Sequence, residues 1–294
     1  MVINDEKLTI FSELVSEDRC NKFSGKLKTG VDLGTANIVV SVVDENDLPI
    51  AGATYPSTVV KDGIVVDFVG AINILKKLKD KVEKIIGTEL LEAATAIPPG
   101  IIQGNIKCIS NVVEAAGFEV INVVDEPTAA ASVIDIKNGA VVDVGGGTTG
   151  ISILKDGEVI FTADEATGGT HMTLVIAGYY GISIEEAEKL KKDPKKDREI
   201  FPIIKPVVEK MASIVKRYLE NYDVSEIYIV GGASSFEEFN DVFEKFIGVK
   251  TIKFNEPLLV TPLGIAMNCN RVWKFLEKRS RINEYRCNFS WKTS

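Results

Sequence analysis

Two hydrophobic rhythms alternate along this chain. Leu8, Ile10, Phe11, Leu14 and Val15 fall at helical spacing with acidic and polar residues opposite them, and Gly25 follows, which predicts a short amphipathic helix before the first strand. From Thr29 to Val43 the pattern is a strand pair: Gly30-Val31-Asp32-Leu33-Gly34-Thr35 leads into Asn37–Val43, and Asp44-Glu45-Asn46-Asp47 reads as the next hairpin turn. Val59 to Phe68 is β-rich and turns at Lys61-Asp62-Gly63. Ile72–Ile86 has a helical period stopped by Gly87, Ala93–Ile97 is a short apolar strand ended by Pro98-Pro99-Gly100, and Asn105–Ala116 is a helix stopped by Gly117. Val120–Val124 then predicts a strand and Thr128–Ile136 a helix.

At this point the opening pattern returns. Val142-Asp143-Val144-Gly145-Gly146-Gly147-Thr148-Thr149 leads into Gly150–Leu154, with Asp156-Gly157 as the turn. Asp32 and Asp143 stand 111 residues apart, a domain-sized spacing. A strand, an aspartate, a glycine-rich turn and a second strand, all occurring twice, predict a duplicated domain. Helical segments follow around Ile184–Lys191 and Ile203–Tyr222, separated at Pro194. Ile227–Val230 is a buried strand entering Gly231-Gly232-Ala233-Ser234, Phe236–Phe246 is a helix, and Thr261-Pro262-Leu263-Gly264 opens another, with proline at a favourable first-turn position. Residues 277–294 form a polar, aperiodic tail.

Bulk properties narrow the function. A length of 294 residues fits two domains. The net charge of -8 argues against a nucleic-acid partner. The longest mostly apolar stretch, Met172–Ile184, is too short to span a membrane, and no basic segment followed by an apolar one marks secretion. The four cysteines are scattered without metal-ligand spacing, as expected of reduced thiols in a cytoplasmic protein.

The repeated turn carries the chemistry. A glycine-rich reversal between strands leaves backbone amides free to converge on an anion, and a missing Cβ lets a phosphate approach. Thr35, Thr148 and Thr149 add hydroxyl donors. A triphosphate brings a hard cation that prefers oxygen ligands, often through its own water shell. Asp32 and Asp143, at the strand ends, are the residues to face it.

Taken in order, these motifs resemble those of the actin, heat-shock-chaperone and sugar-kinase superfamily over residues 29–276. Gly30–Asn37 resembles its first phosphate loop, Asp125-Glu126-Pro127-Thr128-Ala129-Ala130-Ala131 its first connecting helix, Asp143–Thr149 its second phosphate loop, Ile229–Ser234 its adenosine loop and Pro262–Met267 its second connecting helix. A narrower resemblance, to the chaperone-like family of bacterial ethanolamine-utilisation operons, rests on Val31–Val39, Ala96–Gly100 and Asn111–Gly117. Lys61–Phe68 also resembles the bacterial actin homologues.

The resemblance implies an α/β fold of duplicated ribonuclease-H-like lobes around a central nucleotide cleft. It implies an extension at 1–28, lobe I at 29–138 plus 262–276, lobe II at 139–261 and a tail at 277–294. ATP with Mg²⁺ is the implied ligand. It would be held by Gly34, Thr35, Ala36 and Asn37, by Gly145, Gly146, Gly147, Thr148 and Thr149, by Gly168 and Gly169, by Glu188 and Lys191, and by Gly231, Gly232, Ala233 and Ser234. Asp32 and Asp143 would hold the metal through water, and Glu126 would orient the attacking water. The implied partners are ATP or ADP and a protein of the ethanolamine-degrading machinery, an enzyme or a shell protein, in the cytoplasm at a microcompartment.

Bland readings stand beside several of these. Glu126 suits a helix N-terminus electrostatically, Glu188 and Lys191 make an ordinary i,i+3 pair, and Gly168-Gly169-Thr170 suits a turn. His171, the single histidine, reads as structural. The chaperone branch carries a catalytic lysine for which Lys61 is the one candidate here, so slow or absent hydrolysis is expected. The peptide-binding domain of the large chaperones has no counterpart in this sequence. Three functions remain open: a nucleotide-gated chaperone-like switch, which is the reading taken; a filament-forming ATPase, since head-to-tail association makes open polymers; and a small-molecule kinase, for which no separate aspartate stands in a suitable context.

Overall fold

A computed structural model describes residues 5–61 and 63–269. Residues 1–4, Asp62 of the 61–63 turn, residues 270–276 of the 262–276 segment and the tail 277–294 lie outside the described residues. The chain opens with α1 (Asp5–Ser16), then β1 (Lys28–Leu33), β2 (Asn37–Val43) and β3 (Pro49–Pro56). The short hairpin β4 (Val60–Lys61) and β5 (Ile64–Val65) precedes α2 (Phe68–Ile86), β6 (Glu92–Ile97), α3 (Gln103–Ala115), β7 (Glu119–Asp125) and α4 (Glu126–Ile134). The second half runs β8 (Gly139–Val144), β9 (Thr149–Lys155), β10 (Glu158–Glu165), α5 (Gly169–Tyr180), α6 (Ile184–Lys191) and α7 (Asp197–Leu219). It ends with β11 (Glu226–Val230), α8 (Phe239–Ile247), β12 (Lys250–Lys253) and α9 (Pro257–Met267).

The two halves build the same five-stranded sheet, in the orders β3-β2-β1-β6-β7 and β10-β9-β8-β11-β12. In each, the first three strands form an antiparallel meander and the last two add in parallel. Asp32 pairs with Val39 near the end of β1, and Asp143 pairs with Gly150 near the end of β8. The duplication therefore places both aspartates at equivalent strand ends.

Local chemistry sets the helix boundaries. Asp67 accepts from the Gly70 amide to start α2, and Gly87 ends it in the left-handed conformation. Asp125 caps α4 by accepting from the Thr128 amide at 3.0 Å. α7 begins earlier than the sequence pattern indicates and carries Pro202 and Pro206 within it. Both prolines are exposed, so their rings meet solvent and not the core.

One apolar core lies between the first sheet and α2 and α3, and a second between the other sheet and α5, α7 and α8. A third joins the halves. It is built on α4 and α9, each of which packs against the sheet of the other half: α4 on β8 and β9, α9 on β1 and β2. The two helices also pack on each other, with Gly264 allowing α9 to approach the Ala129 carbonyl. Helix α1 docks on β3 and α9 through fully buried Leu8, Phe11 and Leu14. No helix among the described residues is long and apolar enough to cross a membrane.

Candidate functional site

A cleft of about 590 Å³ opens between the two sheets. The β1–β2 turn supplies Gly34, Thr35, Ala36 and Asn37 to its wall, and the β8–β9 turn supplies Gly145, Gly146, Gly147 and Thr148. The second turn is closed by a bond from the Gly145 amide to the Thr148 carbonyl, 2.9 Å. Its outer carbonyls are held by the start of α5. The Gly169 amide donates to the Gly145 carbonyl at 3.0 Å, and the Thr170 amide and hydroxyl donate to the Gly146 carbonyl at 2.7 and 2.8 Å. A trans peptide carries its N–H opposite its C=O. The amides of Gly146 and Gly147 are therefore aimed away from α5, toward the cleft.

The floor carries three carboxylates: Asp32 from β1, Asp143 from β8 and Glu126 from the first turn of α4. Burial, with Asp143 nearby, pushes the Asp32 carboxyl up to about 7. Burial pushes Asp143 up to about 6, against the opposing hydrogen bond from Thr261. Burial and then the charges of Asp143 and Asp32 hold Glu126 well above the usual carboxylate range. The basic residues on the cleft wall among those described are Lys191 and Lys192, at the end of α6, with Lys191 beside the start of α5. The floor is thus an acidic concavity that a cation would relieve. Among the described residues no three His, Cys, Asp or Glu side chains converge closely enough to hold a metal directly. That donor set fits Mg²⁺ that keeps its waters, which dehydrates reluctantly and takes few protein ligands.

At the other end of the cleft, Gly231, Gly232, Ala233, Ser235, Phe236, Leu258 and Pro194 form a mostly apolar wall. Gly231 adopts a φ of +88°, and a Cβ there would lie 2.4 Å from Asp143 Oδ1. Only glycine meets both demands. Gly232 differs: a Cβ there would first meet the Leu258 side chain, at 3.0 Å.

The structure brings most of the sequence-derived residues to the cleft and sets three behind it. Thr149 is buried and donates to the Thr167 carbonyl, Ser234 is buried and donates to the Gly231 carbonyl, and Gly168 packs under the carbonyls of Gly145 and Gly146. Glu188 and Lys191 do share the wall, joined at 2.6 Å. Lys191 Nζ also donates to the Gly169 carbonyl and the Thr173 hydroxyl, so it braces α6 against α5. Burial opposes charge on Glu188, but Lys191 outweighs it and the carboxyl stays below its usual range. His171 accepts from the Gly168 amide through Nδ1 at 3.3 Å, a structural role. Lys61 is exposed on β4 and lies outside the cleft wall.

Thr261, Phe236, Leu258 and Asp197 line the cleft without having been read from the sequence. Thr261 lies inside α9, which begins at Pro257 and not at the Thr261–Gly264 segment that the sequence pattern indicates. The other three belong to no contiguous pattern.

Comparison with known proteins agrees with this architecture. Residues 56–193 match the family model of the MreB/Mbl protein, and residues 129–259 match that of the type IV pilus assembly protein PilM. The ethanolamine utilization protein EutJ of Escherichia coli K12 is 44% identical over 238 residues, covering 81% of this chain and 84% of that protein. The chain belongs to the EutJ family. The crystal structure of EutJ from Carboxydothermus hydrogenoformans superposes with a TM-score of 0.86 at 48% identity, over 90% of this chain and 97% of that one. MreB5 of Spiroplasma citri bound to AMPPNP superposes with a TM-score of 0.67 at 17% identity, covering 89% of this chain and 100% of that one. The fold of this EutJ-family chain is the actin-like ATPase fold, with both sheets and the cleft between them.

Proposed function

We propose that this EutJ-family chain is a nucleotide-gated, chaperone-like switch of an ethanolamine-utilisation system. It binds ATP with Mg²⁺ in the cleft, and the lobe arrangement that binding selects is read by a protein partner. The observation that carries the reading is the convergence of two glycine turns and three carboxylates on one floor, Asp143 buried and Asp32 and Glu126 half-buried, each half of the duplicated fold contributing one turn and one aspartate. The nucleotide-bound state of MreB5, a protein of the same fold, is in keeping with it.

The amides of the 34–37 and 145–148 turns would hold the phosphates, and the Gly231–Ala233 turn with Phe236 and Leu258 would flank the base. Asp32 and Asp143 would accept from the water shell of Mg²⁺, which neutralises phosphate charge when bound. Glu126 would hold a water in line with the terminal phosphate, since phosphoryl transfer depends mainly on positioning and charge stabilisation. With Lys61 off the cleft wall and Lys191 paired to Glu188, hydrolysis would be slow. The partner would be an ethanolamine-degrading enzyme or a shell protein, met in the cytoplasm at a microcompartment.

A ligand moves such an equilibrium only by preferring one state. Small-angle X-ray scattering of the full chain with and without Mg²⁺·ATP tests the switch. A changed scattering profile at saturation is expected, and an unchanged one contradicts gating. Sedimentation in the same samples separates a monomeric switch from a filament-forming ATPase.

A further inference from the structure

Each half of the fold sends a helix to the cleft floor. Glu126-Pro127 opens α4, which follows the sheet holding Asp32, and Thr261-Pro262 stands in α9, which follows the sheet holding Asp143. Glu126 lines the cleft floor with Asp143 and Asp32, and the Thr261 hydroxyl donates to Asp143 Oδ2 at 2.5 Å. Both ends of that hydrogen bond are buried.

The attachment of α9 gives the hydroxyl a second property. Helix α9 packs on β1 and β2, and the Pro262 carbonyl accepts from Ser41 Oγ on β2 at 2.6 Å. Asp143 ends β8 of the other sheet. The adjacent residues Thr261 and Pro262 therefore connect a strand of one sheet to the cleft-floor carboxylate of the other.

We propose that Thr261 is a positioning residue that fixes the Asp143 carboxylate for the hydrated Mg²⁺ of a bound nucleotide, and that it ties this orientation to the arrangement of the lobes. The proposal rests on the nucleotide reading above. The hydroxyl donates to Oδ2 while Oδ1 lies against Gly231 of the 231–233 turn, so the carboxylate is oriented from both sides. A side chain that orients a group facing a metal commonly contributes about 10- to 100-fold to metal affinity.

The test is calorimetric titration of the full chain with ATP, in Mg²⁺ and in EDTA, using wild type, Thr261→Val, Thr261→Ser and Thr261→Ala. Valine keeps the shape and removes the hydroxyl, serine keeps the hydroxyl, and alanine is a second hydroxyl-free form should valine not fold. The hydroxyl-free variants are expected to lose about 10- to 100-fold in the Mg²⁺-dependent part of the affinity. They should match wild type in EDTA, and serine should recover most of the loss. Wild-type Mg²⁺ dependence in a folded hydroxyl-free variant overturns the positioning role and leaves the nucleotide reading standing. A serine variant as defective as valine also overturns it, since the methyl group would then be what matters. A wild-type chain that binds no ATP overturns both.

Discussion

Gly146 in the second glycine turn lies against Ala36 in the first: a Cβ built on Gly146 would stand 3.1 Å from Ala36 Cβ and 3.2 Å from its amide nitrogen. The two turns meet across the cleft from opposite halves of the molecule. A branched side chain here would hold them apart at the place where their amides converge. Gly146→Val is therefore expected to weaken ATP binding by at least about 10-fold, an effect of the overpacking kind. Gly178→Ala in α5 is the control, because a Cβ there meets nothing within 4 Å. It should leave ATP affinity unchanged and raise stability by about 0.5–1 kcal/mol. Unchanged ATP affinity in a folded Gly146→Val protein would remove the phosphate role of this contact.

The cleft floor makes stability depend on pH in a definite direction. Asp32 is raised from 3.8 to about 7 in the fold, chiefly by burial. The folded state holds a proton that the unfolded chain gives up, so this contribution is complete below about pH 4 and is lost as pH rises through about 7. Asparagine has no such dependence. The melting temperature of Asp32→Asn relative to wild type, without nucleotide, should climb between about pH 5 and pH 8, by on the order of 5 °C. A difference that stays flat or shrinks over that range would contradict the buried-acid account.

Glu126 opens α4 beside both aspartates, and burial with the charges of Asp143 and Asp32 holds its carboxyl well above the usual range. Glu126→Gln keeps its shape and removes its capacity to accept a proton. If it positions the attacking water, single-turnover hydrolysis of labelled ATP should fall roughly 10²–10⁴-fold with ATP affinity preserved. Equal rates in the two proteins would leave Glu126 as a helix-terminal acid.

Helix α1 behaves as part of the lobe it covers. Phe11 is 0% exposed, and a Cβ on Gly52 of β3 would come within 2.5 Å of its ring. Phe11→Ala should cost about 3–5 kcal/mol in denaturant unfolding. A cost below about 1 kcal/mol would mean that the helix is held only weakly and is free to serve a partner.

The fold was legible where its signals were local. The glycine turns, the strand–aspartate repeat and the helix stops at Gly87 and Gly117 each occupy a few consecutive residues. Strand β3 was not read because Pro49-Ile50-Ala51-Gly52-Ala53 is poor in branched residues, its glycine making room for Phe11. Strand β10 lies at a sheet edge with alternate residues exposed, and was marked only by the turn before it. Helix α5 is obscured in the sequence because Leu174, Val175 and Tyr179 face outward while Met172 and Ile176 face inward, which blurs the helical period. At the site, the missed residues are those defined by tertiary contact. Thr261 reaches Asp143 across 118 residues of sequence, and Phe236 and Leu258 become a wall only once the second sheet has formed. Thr149 and Ser234 sit in the right motifs but point inward, and one residue of register separates the exposed face of such a turn from its buried one.

The central claim is that the two halves of the duplicated fold jointly bind ATP with Mg²⁺. Calorimetric titration of the full chain with ATP, in Mg²⁺ and in EDTA, for wild type and Asp143→Ala, tests it most directly. The account predicts saturable binding to wild type that Mg²⁺ strengthens, and a loss of about 10- to 100-fold with most of the Mg²⁺ dependence in Asp143→Ala. No saturable binding by wild type, or an Asp143→Ala protein with the wild-type affinity and Mg²⁺ dependence, would contradict it.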